Sequence, residues 1–92
     1  MTIGILGGGV WGSALARVLS NNKVIIYARD EKIVKSINEH KINPKLKYSS
    51  FNENVTATTS LKEIRNVKFL FITLPAQSIR EVIKDSSLHN KN

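Results

Sequence analysis

Four glycines stand between a short apolar run and a helical pattern near the start of the chain, in the sequence ILGGGVWGSALARVL over residues 5–19. Gly7, Gly9 and Gly12 match the G-x-G-x-x-G spacing of a strand-to-helix turn that holds a dinucleotide. The first glycine permits a tight turn, the second lets the backbone approach a pyrophosphate, and the third lets the helix pack on the sheet. The spacing predicts an anion site for two linked phosphates.

The donors of such a site are backbone amides. Val10 and Trp11 follow the second glycine, so their N–H groups would face the phosphates from the positive end of the helix dipole. No carboxylate lies between Gly7 and Arg17, so no acidic side chain in this stretch repels an anion. A glycine-rich turn that binds nothing is the alternative interpretation, and the position between a strand and a helix favours binding.

Two charged residues follow the next apolar run, in the sequence YARD over residues 27–30. A carboxylate at this place commonly binds the ribose hydroxyls of NAD, whereas an arginine favours the additional phosphate of NADP. Arg29 and Asp30 offer both, so the residues leave the choice between NAD and NADP open. Asp30 also suits the N-cap of a following helix, and Arg29 has the alternative of a solvated surface charge.

Alternating strands and helices must position these residues. Short apolar runs rich in β-branched residues predict four strands, at Thr2–Leu6, Val24–Ala28, Val55–Thr58 and Val67–Thr73. Strands that alternate with helices are typical of right-handed crossovers over a parallel sheet. We predict an α/β fold, a Rossmann-type parallel sheet of about four strands in the order 3-2-1-4 with flanking helices. The glycines then lie in the cleft at the carboxyl ends of the first and fourth strands.

Helical spacing of apolar residues predicts the helices. The first helix has its apolar residues at Val10, Ala14, Leu15, Val18 and Leu19. Asn21 and Asn22 suit a left-handed exit from it. A second helix follows Asp30, with Ile33, Val34 and Ile37 as its apolar positions, and ends before the polar, loop-like segment 44–54. Ser60 and Glu63 match a capping box that opens a short helix, and a last helix is predicted over residues 76–84, before a polar tail.

Composition bounds the functions that this chain of 92 residues can have. It has no cysteine, so it has no thiolate metal site and no cysteine nucleophile, and no other metal cluster is visible. Its longest apolar runs are too short to cross a bilayer, and we expect a cytoplasmic location. The net charge of +7 suggests nucleic acid as a partner, but the basic residues are dispersed, which favours a solvated surface. His40 and His89 lie in polar surroundings away from the predicted cleft, so neither is predicted to be catalytic.

These motifs resemble the N-terminal part of NAD(P)-dependent glycerol-3-phosphate dehydrogenase. The likeness rests on GGGVWGSALA, YARD, NVTATTSLKEI and LFITLPAQSIREVI, and it covers nearly the whole chain. It implies that Val10 and Trp11 bind the diphosphate of NADP or NAD and that Arg29 binds the adenosine end. It also implies that the segment 74–78, with Leu74, Pro75 and Ser78, lines the cofactor cleft. Trp11 has a second, compatible interpretation as a packed aromatic beside the glycine loop.

The resemblance implies hydride transfer between nicotinamide and the C2 carbon of dihydroxyacetone phosphate or glycerol 3-phosphate, for glycerophospholipid precursor synthesis. Residues 1–92 would form part of an NAD(P)-binding domain, and the helical domain with the catalytic lysine and most substrate contacts would be absent. We therefore predict no catalytic residue in this chain and no turnover by it alone. The apolar run VKFLFITL over residues 67–74 would be left at a sheet edge, so we predict that the chain associates with itself through this edge or folds only marginally. Two alternatives are another NAD(P)-dependent dehydrogenase of the 6-phosphogluconate or ketopantoate type and, less favoured, a basic nucleic-acid-binding module.

Overall fold

Four parallel strands with helices between them form the structure, a computed structural model that describes residues 2–45 and 50–74. The elements are β1 (Thr2–Leu6), α1 (Val10–Val18), β2 (Lys23–Tyr27), α2 (Glu31–His40), β3 (Val55–Thr58), α3 (Leu61–Ile64) and β4 (Phe69–Ile72). The strand order is β3-β2-β1-β4, and every pair is parallel. This confirms the predicted fold class and strand order. None of the helices in the described part of the chain is long and apolar enough to cross a membrane.

The two central strands bury both of their faces. Ile5 of β1 pairs with Ile26 of β2, and the next pair is Leu6 with Tyr27. Because successive side chains of a strand point to opposite faces, Ile5 and Ile26 pack with α1 and α2, whereas Leu6 and Tyr27 pack with Ile64 of α3. Full burial of one such aliphatic side chain stabilises the fold by about 1.5–3 kcal/mol. Burial of these continuous β-branched runs is therefore the main contribution to the stability of the sheet.

Helix α1 forms where predicted, but its apolar residues do not all face the core. Val10 is 48% exposed and Val18 is 77% exposed, and the buried residues of the helix are Gly12, Ser13 and Ala16. Small side chains face the sheet because α1 lies close to it. The predicted left-handed exit is also wrong: the helix ends at Leu19 with φ −92°.

Helix α2 begins as predicted and ends in a way that the sequence did not suggest. The carboxylate of Asp30 accepts a hydrogen bond from the Lys32 N–H at 2.8 Å, which confirms the N-cap. The left-handed residue is Lys41, with φ 58°, and its Nζ donates to the Val55 carbonyl at 2.7 Å. In the described part of the following segment, residues 44–45 and 50–54, no helix or strand forms, as predicted, but Phe51 is buried in the core.

The short helix α3 follows β3, but without the predicted capping box. Ser60 is its N-cap and makes no side-chain cap bond. The Glu63 carboxylate instead accepts from the hydroxyl of Thr58, the last residue of β3. Strand β4 is shorter than predicted, since Val67 packs beside Ile64 in the core before the strand begins. The predicted last helix, 76–84, and the tail lie outside the described residues.

Candidate functional site

A cavity of about 320 Å³ opens at the carboxyl ends of β1, β2 and β4. This is within the usual size range of small-molecule sites. The residues that line it are Gly7, Gly8, Gly9, Tyr27, Ala28, Arg29, Asp30, Ile33, Lys45, Thr73 and Leu74. The structure thus brings the glycine loop, the YARD sequence and Leu74 together at the predicted edge of the sheet.

The glycine loop leaves β1 through a turn that only glycine adopts easily. Gly7 has φ 132°, a conformation that side chains rarely permit, and its N–H donates to the Tyr27 carbonyl at 3.0 Å. A Cβ on Gly12 would collide with the carbonyl oxygen of Gly7. The first glycine therefore turns the chain, and the third lets α1 pack directly on that turn.

Gly9 has a different environment, because a Cβ placed on it would meet no atom within 4 Å. It is the N-cap of α1, and the first bond of the helix runs from the Ser13 N–H to the Gly9 carbonyl at 3.0 Å. The amides of Val10, Trp11 and Gly12 precede that bond, as the donors at a helix N-terminus do. The first turn of α1 has no acidic residue. Open space, amide donors and the absence of negative charge in this turn fit a pyrophosphate.

Trp11 lies beside this turn and is 81% exposed. Its side chain is therefore not packed on the glycine loop, and the second interpretation of Trp11 is wrong for this chain. Neither Val10 nor Trp11 is among the residues that line the cavity. An exposed indole at this place follows from the position of α1, whose small residues face the sheet.

Three charged residues line the cavity: Arg29, Asp30 and Lys45. One carboxylate oxygen of Asp30 caps α2, and the residue still lines the cavity. The cap and the ligand-binding interpretations of Asp30 are thus compatible in space. Two cations against one carboxylate favour an anionic ligand.

Six cavity residues were not among the predicted site residues: Gly8, Tyr27, Ala28, Ile33, Lys45 and Thr73. Lys45 comes from the segment after α2, which carries no motif that would have indicated it. Thr73 follows β4, and its hydroxyl donates to the Leu6 carbonyl at 3.0 Å. Pro75 and Ser78, which the resemblance assigned to the cleft, lie outside the described residues, as does His89. His40 is exposed at the end of α2 and does not line the cavity.

Known proteins similar to this chain are glycerol-3-phosphate dehydrogenases. The family model described as NAD-dependent glycerol-3-phosphate dehydrogenase N-terminus matches residues 2–92. The glycerol-3-phosphate dehydrogenase (NAD(P)+) of Neorickettsia sennetsu is 36% identical over 83 residues, which are 87% of this chain and 25% of that protein. The enzyme of the same name from Bacillus licheniformis is 42% identical over 88 residues, 88% of this chain and 25% of that protein.

Solved structures agree with the sequence relatives. A glycerol-3-phosphate dehydrogenase structure from Coxiella burnetii has TM-score 0.80 and 31% identity, and the match covers 89% of this chain and 26% of that one. One from Plasmodium falciparum has TM-score 0.85 and 28% identity, over 100% of this chain and 29% of that one. The chain spans about a quarter of the length of the curated relatives it matches. These relatives favour the glycerol-3-phosphate dehydrogenase family over the alternative of a dehydrogenase of the 6-phosphogluconate or ketopantoate type.

Proposed function

The chain belongs to the family of the NAD-dependent glycerol-3-phosphate dehydrogenase N-terminus, and from this premise we propose that it is the dinucleotide-binding part of an NAD(P)-dependent glycerol-3-phosphate dehydrogenase. The observation that carries the proposal is the open space beside Gly9, at the start of a helix whose first turn has no acidic residue. Such a helix start binds phosphate through its amides and its dipole. The ligand is NADP or NAD.

The glycine loop, the first turn of α1 and the segment after β4 each have a proposed role in binding. The amides of Val10 and Trp11 would donate to the two phosphates, and Gly9 would allow them to approach. Gly7, which lines the cavity, and Gly12 would shape the cofactor-binding loop. Leu74 would cover the cavity from the β4 side, and the resemblance extends this wall to Pro75 and Ser78.

The charged wall would bind the adenosine end of the cofactor. Arg29 is proposed to contact the 2′-phosphate of NADP, because a guanidinium forms strong charge-assisted bonds with phosphate. Asp30 would instead accept from the ribose hydroxyls of NAD with the carboxylate oxygen that does not cap α2. Lys45 adds a second positive charge to the same wall, and this favours NADP.

Within the whole enzyme, the bound nicotinamide would exchange a hydride with the C2 carbon of dihydroxyacetone phosphate or glycerol 3-phosphate. Residues 1–92 would supply part of the NAD(P)-binding domain and orient the cofactor. The catalytic lysine and the substrate-binding helical domain are proposed to belong to the part of the relatives that this chain does not span. The dinucleotide would be the small-molecule partner of this chain, and the cytoplasm its location.

We also propose that the 92-residue chain associates with itself through β4. This strand pairs with β1 on one side, and no described strand lies on its other side. Phe69, Phe71 and Ile72 are 48%, 40% and 46% exposed. An apolar edge strand with free backbone groups is a template for pairing with a second copy.

Thermal melting with NADP and with NAD tests the main proposal. We expect each ligand that binds to raise the melting temperature, and we expect no oxidation of glycerol 3-phosphate in a nicotinamide absorbance assay. No shift with either cofactor at millimolar concentration would overturn the proposal. A nucleic-acid module would instead bind DNA with a logarithmic salt slope of about −0.9 for each phosphate contact.

A further inference from the structure

Asn43 is a buried polar residue that lies outside the glycine loop and holds it. It stands in the segment after α2 and is 0% exposed. Its Nδ2 donates to the Gly8 carbonyl at 2.7 Å and to the Ser13 hydroxyl at 2.6 Å, and its Oδ1 accepts from the Lys45 N–H at 3.0 Å. One side-chain amide therefore joins the glycine loop, helix α1 and the cavity wall that carries Lys45.

The bond to Gly8 sets the direction of a peptide group inside the loop. A trans peptide is planar, and its C=O and N–H point in opposite directions. The peptide that carries the Gly8 carbonyl also carries the Gly9 N–H, so a hydrogen bond that fixes the oxygen also fixes the N–H. A site built from backbone amides depends on these directions, because a rotated peptide would turn its carbonyl oxygen toward the phosphates.

The bond to Ser13 ties the same amide to the first turn of α1. Ser13 is 0% exposed, and its own N–H makes the first hydrogen bond of the helix, to the Gly9 carbonyl. The Asn43 Nδ2 thus donates both to the Gly8 carbonyl, which precedes Gly9, and to the Ser13 hydroxyl in the first turn of α1. Removal of either partner would leave a buried polar group unpaired, which is unfavourable.

We propose that Asn43 is a positioning residue of the dinucleotide site, which holds the peptide between Gly8 and Gly9 and the first turn of α1 in the orientation that binds a pyrophosphate. This inference rests on the proposed function. According to this inference, the segment after α2 raises cofactor affinity because it holds the glycine loop in place, without contact between Asn43 and the ligand.

Asn38 provides a matched control for the test. It lies on α2, and its side chain donates to the Ala57 carbonyl at 2.9 Å and accepts from the Ala57 N–H at 2.8 Å. It is also an asparagine with hydrogen bonds to backbone, but neither it nor Ala57 lines the cavity. Asn43→Ala and Asn38→Ala should both lower the melting temperature, and only the first should change cofactor affinity.

Calorimetric titration of the full 92-residue chain with NADP and NAD, well below the melting transition of each variant, separates affinity from stability. We expect Asn43→Ala to raise the Kd of both cofactors by about tenfold and Asn38→Ala to change it by less than about twofold. Ser13→Ala removes one of the two Nδ2 contacts, so it should raise the Kd by about threefold.

If Asn43→Ala does not fold, Ser13→Ala decides the question. If Asn43→Ala folds and binds cofactor with the affinity of the parent, the inference is overturned and the proposed function stays intact. The same holds for parent-like affinity in Ser13→Ala when Asn43→Ala does not fold. An equal loss of affinity in Asn38→Ala would show that lost stability is the cause, and would also overturn it. Absence of binding by the parent chain would overturn the proposed function and this inference together.

Discussion

Substitution of Gly9 by valine should abolish cofactor binding without unfolding the chain. Gly9 has φ −85° and ψ −167°, an extended conformation that valine adopts readily. A Cβ there meets no protein atom within 4 Å, so its two methyl groups would occupy the space proposed for the pyrophosphate. The cost to the unliganded fold, from a poorer N-cap, should stay below about 1 kcal/mol.

The size of the effect follows from binding linkage. A ligand at a hundred times its Kd stabilises a folded chain by about 2.7 kcal/mol. For a domain of this size, 1 kcal/mol shifts the melting temperature by about 4–8 °C, so NADP should raise that of the parent by about 10–20 °C. The same concentration should leave the Gly9→Val chain within about 2 °C of its unliganded value.

A second glycine variant serves as the control for this measurement. Gly12→Ala places a methyl group against the Gly7 carbonyl oxygen, a backbone atom that cannot move aside. It should lower the free energy of unfolding by about 1–3 kcal/mol before any ligand is added. Differential scanning calorimetry of the three chains, with and without NADP, distinguishes lost binding from lost stability. Equal shifts in the parent and in Gly9→Val would refute the assignment of this space to the phosphates.

Substitutions at three further positions test the charged wall, the helix cap and the sheet edge. Arg29→Ala should weaken NADP by about ten- to a hundredfold and leave NAD within a few-fold in parallel titrations; equal losses would mean that Arg29 contacts a shared part of the cofactor. Asp30→Ala removes the 2.8 Å bond to the Lys32 N–H and should lower the free energy of unfolding by about 1 kcal/mol, whereas Asp30→Asn keeps the acceptor and should melt like the parent. Phe71→Lys should suppress the concentration-dependent light scattering expected of the parent, and a monodisperse parent would contradict the proposed edge pairing.

The parts of the fold that could be predicted from the sequence are those set by local chemistry. Short apolar runs rich in β-branched residues form strands, so all four strands and their order followed from the pattern, although β4 is partly exposed in the described structure. Asp30 precedes its helix with a carboxylate at the right distance from the Lys32 N–H, and this cap needs no tertiary partner. Gly7 turns the chain in the conformation that its place in the spacing requires.

The features that escaped prediction depend on contacts between distant segments. Periodicity placed Val10 and Val18 on a common stripe of α1, but the close approach of the helix to Gly7 admits only small residues there. Lys41 ends α2 with a positive φ, and its amine donates to the carbonyl of Val55, which lies 14 residues away in the chain. Asn43 had no motif at all, since its partners lie 30 and 35 residues away in the chain.

The order of strands in space differs from their order of synthesis, and this sets when β1 is covered. The β1 edge that pairs with Phe69–Ile72 stays open after β2 has formed, until some 45 further residues have been made. At translation rates of about 5–20 residues per second, that wait lasts about 2–9 s. During it, the nascent chain presents an uncovered parallel edge to other polypeptides. A chaperone that binds extended apolar segments would find its site on β1 in this interval and lose it when β4 arrives.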